Sequence, residues 1–318
     1  MNLQQLEYVL AVNEHRHFVR AAESCFVSQA TLSMMIKKLE EEFHVIIFDR
    51  SKQPVVPTEI GKKMIEQARI IVSETHKMRD LVQEEKGELK GELRLGIIPT
   101  VAPYLMPLFL DNFAKSYPKV KLFIREHTTE TLLSKMRSGL LDVGILATPL
   151  ANPGAWKEQS LYFERYMLYV GPQEPGYPKQ YILPSSINID RLWLLEEGHC
   201  MRNQIINLCE LKKKHEGVEQ VHYEAGSIET LINLVEKNYG ITVIPELATL
   251  NMSAQQQKQL RAFKAPVPVR EISLVTEREH VKKRMIDALF VSIQNQLPPA
   301  LSGVSGKKRI LSLRTKDE

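Results

Sequence analysis

From Thr58 to about Lys86 no proline interrupts the chain, and Met64, Ala68, Ile71, Thr75, Met78 and Val82 step along it by 4, 3, 4, 3 and 4. Such alternation of 4 and 3 is the seven-residue, 3.5-period repeat that lines one side of a helix and matches the seam of a coiled coil. At 1.5 Å per residue the helix runs about 40 Å, too long to be enclosed by a small module before it. The stripe therefore predicts a linker helix over residues 59–90 that projects from a head, residues 1–58, and pairs with a second copy. Packing of the same stripe onto its own head is the competing reading. "KGELKG" then closes the helix and opens a third region.

Within the head, "LQQLEYVLAV" sets Leu3, Leu6 and Leu10 on one helical face, and "FVRAAESC" does the same for Phe18, Ala21, Ala22 and Cys25. Cys25 there reads as a small buried apolar residue. "FVSQATLSMMIKKLEEEF" offers Ser28 as an N-cap and Leu32, Ile36, Leu39 and Phe43 as a buried stripe. Gln29, Thr31, Ser33, Met34 and Lys37 point elsewhere, a short polar face suited to base edges. Helix, turn and capped helix is the layout of a helix-turn-helix, whose second helix enters the major groove by its first residues. A plain three-helix packing unit has the same pattern.

Net charge does not decide between them. The chain carries +4, of which residues 303–318 hold five Lys/Arg against two acids, whereas residues 1–90 hold 13 Lys/Arg against 14 acids. The basic segment 303–318 reads as a solvated, frayed tail.

After Gly91, strand-like runs ("ELRLGII", "VKLFIRE", "LDVGILA") alternate with helix-like ones ("YLMPLFLDNFAKSY", "TETLLSKMRSG"). A second set follows: "LYFERYMLYVG", "LWLLEEG", "VHYEA", "IETLINLVEKNYG", "ITVIP", "EISLVTE" and a helix from about Val281. Such alternation predicts an α/β region, residues 91–302, of βαβ units in two lobes around a largely parallel sheet. Ligands in such folds sit beyond strand carboxyl ends. Thr100 and Thr129 occupy those ends, either as pocket hydroxyls or merely as helix caps.

"GHCMRNQIINLC" holds Cys200 and Cys209, two of the chain's three cysteines. If 200–209 is one helix, about 13.5 Å separates the two Cα atoms, whereas a disulfide needs roughly 4.4–6.8 Å. A helical reduced form and a bridge between them are mutually exclusive. Cys200 at a helix start, with Arg202 and His199 beside it, is expected to favour thiolate over thiol. Three readings stay open on the residues alone: inert buried thiols, a zinc site with His199 and His215, and redox chemistry.

"RAAESCFVSQATLSMMIKKLEEEFHVIIFDR" followed by "PTEIG" closely resembles the LysR-type transcriptional regulators. "IPTVAPYLMP", "LLEEGHCMRNQIINLC", "SIETL" and "GITVIP" are similar to the hydrogen-peroxide-sensing subfamily. The resemblance implies a winged helix-turn-helix, a linker helix and a two-lobed effector domain like periplasmic binding proteins. Gln29, Thr31, Ser33 and Lys37, flanked by Ser28 and Met34, would then face the groove, with Arg50 and Thr58 near phosphates. It further implies that Cys200 reacts with peroxide and Cys209 resolves it to a disulfide, while Thr100, Thr129 and His199 line the pocket and hold peroxide or water. Two residues depart from the pattern: His44 stands where the family usually has Gly, and Asn203 where it often has Asp. The second departure bears on proton traffic around the thiol. Promoter DNA, RNA polymerase and a second copy, as dimer or tetramer, are the implied partners; no cofactor or metal is.

Two other functions fit parts of the chain. One is a LysR-type regulator responding to a small carboxylate in its cleft, with incidental cysteines. The other is a thiol peroxidase, for which the sequence lacks a P-x-x-x-T-x-x-C loop and carries an unneeded head. "MNLQQLEYVLAVNEH" has no basic region before an apolar run, so a cytoplasmic location is expected and a periplasmic solute binder is not.

Overall fold

The computed structural model describes residues 1–318 except 86–88, 151–153, 179, 210–224, 238, 279, 300, 302–307, 312 and 314–318. It divides into two compact units, Met1–Glu88 with Arg137–Leu140, and Leu89–Met136 with Leu141–Glu318. None of the described helices is long and apolar enough to cross a membrane.

In the first unit, α1 (Leu3–His15) starts from a capping box in which Asn2 and Gln5 satisfy each other's backbone N–H groups. Helix α2 (Phe18–Ser24) ends on Cys25, which is partly buried against the head core. Helix α3 (Gln29–Glu42) starts at Ser28, whose hydroxyl accepts from the Thr31 N–H at 3.1 Å. Leu32, Ile36 and Leu39, spaced as a helix face requires, are buried by α1 and α2. Phe43, expected in that stripe, is 46% exposed because the helix stops at Glu42 and the chain turns away. Strands β1 (Phe48–Asp49) and β2 (Val56–Pro57) pair antiparallel as a small wing.

His44 adopts φ 53°, the left-handed turn that closes α3, with its N–H on Glu41 O and the Val45 N–H on Glu40 O. The helix ends as it would with glycine there, and histidine carries the steric cost. His44→Gly is accordingly expected to stabilise the head by about 0.5–1 kcal/mol, measured by urea unfolding.

Helix α4 (Glu59–Glu85) splits the stripe read from the sequence. Ile65, Ala68 and Val72 are buried and Met64 and Ile71 half-buried in the head's own core. Further along, Met78, Leu81 and Val82 are 70%, 54% and 57% exposed. The dimer-seam expectation is thus corrected for the first half, since periodicity identifies an apolar face but not what covers it.

The second unit continues with β3 (Gly91–Ile97), α5 (Ala102–Ser116), β4 (Val120–Glu126), α6 (Thr129–Arg137), β5 (Val143–Thr148) and the long β6 (Trp156–Val170). Then come β7 (Tyr181–Ile182), β8 (Leu192–Trp193), α7 (Cys200–Cys209), α8 (Ile228–Glu236), β9 (Ile241–Pro245) and α9 (Ala254–Gln257). The unit closes with β10 (Leu260–Phe263), β11 (Val267–Glu277), α10 (Lys283–Gln296) and β12 (Lys308–Ile310). Among the described residues, β4, β3 and β5 run parallel, joined antiparallel to β11 and then β6. The end of β6 pairs antiparallel with β9 and β10 in a second lobe. The sheet is therefore mixed rather than largely parallel, because β6 and β11 cross between the lobes. α/β alternation, two lobes and the head with its wing make up the expected fold class.

Two other expectations change. "LWLLEEG" forms only two residues of strand, and "VHYEA" lies outside the described residues up to Ala225. The segment 303–318 is not wholly frayed: Lys308–Ile310 is strand β12, parallel to β11, and Leu311 is 2% exposed. Its basic residues had hidden the apolar Ile310, Leu311 and Leu313 among them.

Candidate functional site

On the head, Ser28, Gln29, Thr31, Met34 and Lys37 are exposed and Ser33 is half-buried, all on α3 or its cap. The Thr31 hydroxyl shares a 2.8 Å hydrogen bond with Ser28. Arg50 is held by its own unit, donating to Ser33 Oγ at 2.9 Å and pairing with Glu40 at 3.0 Å, its guanidinium over the Phe18 ring. The Thr58 hydroxyl donates to Ile46 O and accepts from the Gly61 N–H, which fixes the start of α4. Both residues thus have partners within their own unit. Phe26, unremarked in the sequence, stands 95% exposed with φ 55° in the turn before α3.

In the second unit, α7 runs from Cys200 to Cys209, and both thiols are free. Gly198, at φ +92°, turns the chain into the helix in a conformation that a side chain disfavours. Met201, Ile205 and Leu208 lie under it fully buried, and Gln204 is buried beside them. Anchors of this kind contribute about 2 kcal/mol each, so the helix is strongly held.

The charge around Cys200 differs from expectation. Arg202 donates to Leu195 O at 2.8 Å and thereby braces the helix start. The cation that acts on the thiol is Arg270, fully buried on β11. Its Nε donates to Glu164 on β6 at 2.8 Å, and its two terminal nitrogens donate to Thr100 Oγ1 at 3.0 Å and Thr100 O at 3.1 Å. Thr100 is therefore an acceptor for Arg270; it is not the α5 cap, which is Val101. Glu164 also accepts from the Leu247 N–H at 2.9 Å. Burial pushes the Glu164 carboxyl above its usual value against the pull of Arg270.

Burial is also the dominant influence on the thiols. It pushes Cys200 upward, partly offset by the Thr129 hydroxyl, Arg270 and the first backbone N–H groups of α7. The thiolate-favouring groups are present, but the low-dielectric surroundings outweigh them. Cys200 as a residue nevertheless keeps partial exposure. Thr129, first residue of α6, has a buried hydroxyl with no well-formed hydrogen bond. His199 is 7% exposed, its Nε2 3.6 Å from Glu196. Cys209 is pushed up to about 12 by burial alone.

The amide Nδ2 of Asn203 donates to Leu313 O at 3.4 Å. His215 lies outside the described residues, and among those described no group of three or more metal-ligating side chains occurs.

Sequence reasoning missed Arg270, Glu164, Tyr166 and Gln204. A signal existed for the strand residues. In β6 the even positions Tyr162, Glu164, Tyr166 and Leu168 are buried, and β11 is buried on both faces around Arg270, with Val269, Ile272, Leu274 and Val275 at 1% or less. A charge at an inward position of a largely apolar strand demands a buried partner.

Residues 3–62 match the family model described as "Bacterial regulatory helix-turn-helix protein, lysR family", and residues 86–298 the "LysR substrate binding domain". A "Hydrogen peroxide-inducible genes activator" of Haemophilus influenzae is 33% identical over 96% of this chain and 100% of its own. The "DNA-binding transcriptional dual regulator OxyR" of Escherichia coli is 36% identical over 78% of this chain and 80% of its own. Among solved structures, full-length OxyR of Pseudomonas aeruginosa, a cysteine-to-aspartate variant, superposes with TM-score 0.75 at 32% identity, covering 92% of this chain and 98% of that one. An H2O2-bound cysteine-to-serine variant of Corynebacterium glutamicum OxyR gives TM-score 0.60 at 28% identity, over 93% and 92%.

Proposed function

The chain belongs to the LysR family of bacterial helix-turn-helix regulators, and from that premise we propose a hydrogen-peroxide-responsive transcriptional regulator whose switch is α7. The observation that carries this reading is one helix with a free thiol at each end, its first thiol drawn toward thiolate by the Thr129 hydroxyl and the charge of Arg270.

The Cys200 thiolate attacks one oxygen of hydrogen peroxide; the O–O bond breaks, Cys200 becomes a sulfenic acid, and the departing hydroxide takes up a proton to leave as water. The Cys209 thiolate then attacks the Cys200 sulfur, displacing hydroxide, which is protonated to a second water. Two thiols and one peroxide yield one disulfide and two waters. Thr129, Thr100 and His199 orient the peroxide, and Arg270 supplies the positive charge that favours thiolate. One oxidant is consumed per switch, so the protein acts as a sensor and not as an enzyme.

The bridge requires α7 to unwind, because its ends lie about 13.5 Å apart by helical rise. Refolding of the segment alters contacts between copies, which dimerise along the bare stretch of α4 around Met78, Leu81 and Val82 and assemble further into tetramers. The exposed face of α3 reads promoter DNA in the cytoplasm, where the altered assembly recruits RNA polymerase. Titration of the reduced protein with peroxide, with thiols mapped by mass spectrometry during DNA footprinting, tests the whole sequence of events. A footprint change without a Cys200–Cys209 bridge overturns it.

Two expected results follow from particular groups. Thr31→Ala should weaken binding at cognate sites about tenfold, roughly 1.4 kcal/mol, while leaving binding to random DNA nearly unchanged. Equal losses on both would remove Thr31 from base readout. Because burial raises the Cys200 thiol, the peroxide rate constant should climb about tenfold per pH unit near neutrality, without levelling off below the usual thiol pKa of about 8.5. Stopped-flow measurement from pH 6 to 9 checks this, and a plateau near pH 6 contradicts it.

A further inference from the structure

We propose that strand β12 together with Leu311 and Leu313 is a latch that holds α7 in its reduced, helical form, with Gln204 and Asn203 as the catch. The proposal rests on the reading of α7 as a redox switch and adds the element that sets its threshold.

Strand β12 lies parallel to β11 with Val269 opposite Ile310, and the Leu311 N–H donates to Val269 O at 3.0 Å. The segment is thus fastened to the strand position next to Arg270. Beyond it the chain meets α7. Leu311 O accepts from Gln204 Nε2 at 3.1 Å, and Leu313 O from Asn203 Nδ2 at 3.4 Å. Leu311 is 2% exposed, and Leu313 packs against the domain core.

Gln204 is engaged on both sides. Its Oε1 accepts from the Tyr166 hydroxyl at 2.6 Å, and the Tyr166 ring lies 6.0 Å from the Arg270 guanidinium. One fully buried amide therefore joins the latch, the switch helix and the ring beside the thiol's cation. Asn203 suits this role in a way that aspartate does not, since only the amide donates a hydrogen bond to a carbonyl.

Gln204 and Asn203 meet the same short segment because helical geometry presents them to it. A Cys200–Cys209 disulfide needs the helix undone, which pulls both amides away from Leu311 and Leu313. Contacts made by one state and not the other shift the balance toward the state that makes them. The latch stabilises the dithiol, raises the reduction potential and makes the switch harder to trip; oxidation in turn releases the latch.

The test compares the full chain with a truncation removing 303–318 and with Leu311→Pro, which deletes the N–H that bonds Val269 O. Each is equilibrated against dithiothreitol, which reduces the disulfide while its own thiols close to a ring. Both variants should bind reductant electrons less favourably by about tenfold in equilibrium constant, a midpoint lower by about 30 mV for this two-electron couple. In the unmutated chain, trypsin should cut after Lys308 and Arg309 several-fold faster once Cys200 and Cys209 are bridged. A normal disulfide with an unshifted midpoint in both variants and equal cleavage in both states overturns the latch alone. Failure of the unmutated chain to form that disulfide overturns the switch reading and the latch with it.

Discussion

Cys200→Ser is expected to abolish the peroxide response entirely: no sulfenic acid, no internal disulfide and no change in footprint at any peroxide dose that leaves other residues intact. An alcohol at this position has no accessible anion and is not a nucleophile toward peroxide. Cys209→Ser should behave differently, accumulating sulfenic acid or mixed disulfides at Cys200 without the bridge. The contrast is informative because serine replaces cysteine nearly isosterically and neither residue is in a disulfide, so both variants should keep the fold. Mass spectrometry of alkylated peptides after one equivalent of peroxide reads the outcome. Retention of the wild-type footprint change in Cys200→Ser would remove this thiol from sensing.

The second large effect concerns Arg270. Replacing it with Met leaves the Glu164 carboxyl fully buried without its cation, and severing a buried pair in this way costs about 3–5 kcal/mol. For a domain of this size the melting temperature should fall by about 10 °C or more. Stability alone does not separate a structural role from a chemical one, so Arg270→Met is combined with Glu164→Leu. Removing both charges should recover most of the lost stability, since buried pairs are often replaceable by apolar residues. Reaction of Cys200 with peroxide at pH 7 should nevertheless remain at least about tenfold slower, the effect of roughly one pKa unit on thiolate population. Recovery of rate together with stability would assign Arg270 a purely structural part.

How much of this was legible in the sequence depended on the range over which the determining contact acts. Ser28 and the Leu32, Ile36, Leu39 spacing gave α3, because capping and amphipathicity are settled within a few residues. The bounds of α7, Cys200–Cys209, and of β9, Ile241–Pro245, also match the pattern. The partner of Cys200 was not visible, since Arg270 and Glu164 are separated by 106 positions and meet only when β6 and β11 pair. Arg202, adjacent in sequence, was credited with that charge; its guanidinium instead reaches back to Leu195. Local burial likewise outweighed the helix-terminus argument for the thiol. Strand β12 was obscured because a count of charges in 303–318 is blind to which residues find a strand edge.

The ion pair of Arg270 and Glu164 also bears on how the two lobes move. Thr100 follows β3 in the first lobe, Leu247 follows β9 in the second, and both bond to this one pair across the strands that connect the lobes. A solute-binding clamshell works by bending about its connecting strands. Here an ion pair on the connecting strands is tied to both lobes, so that spreading them would break its bonds to Thr100 or to Leu247. Lobe spreading is thereby opposed, and small-angle scattering of the reduced and oxidised regulatory domain should show little change in lobe separation while α7 rearranges.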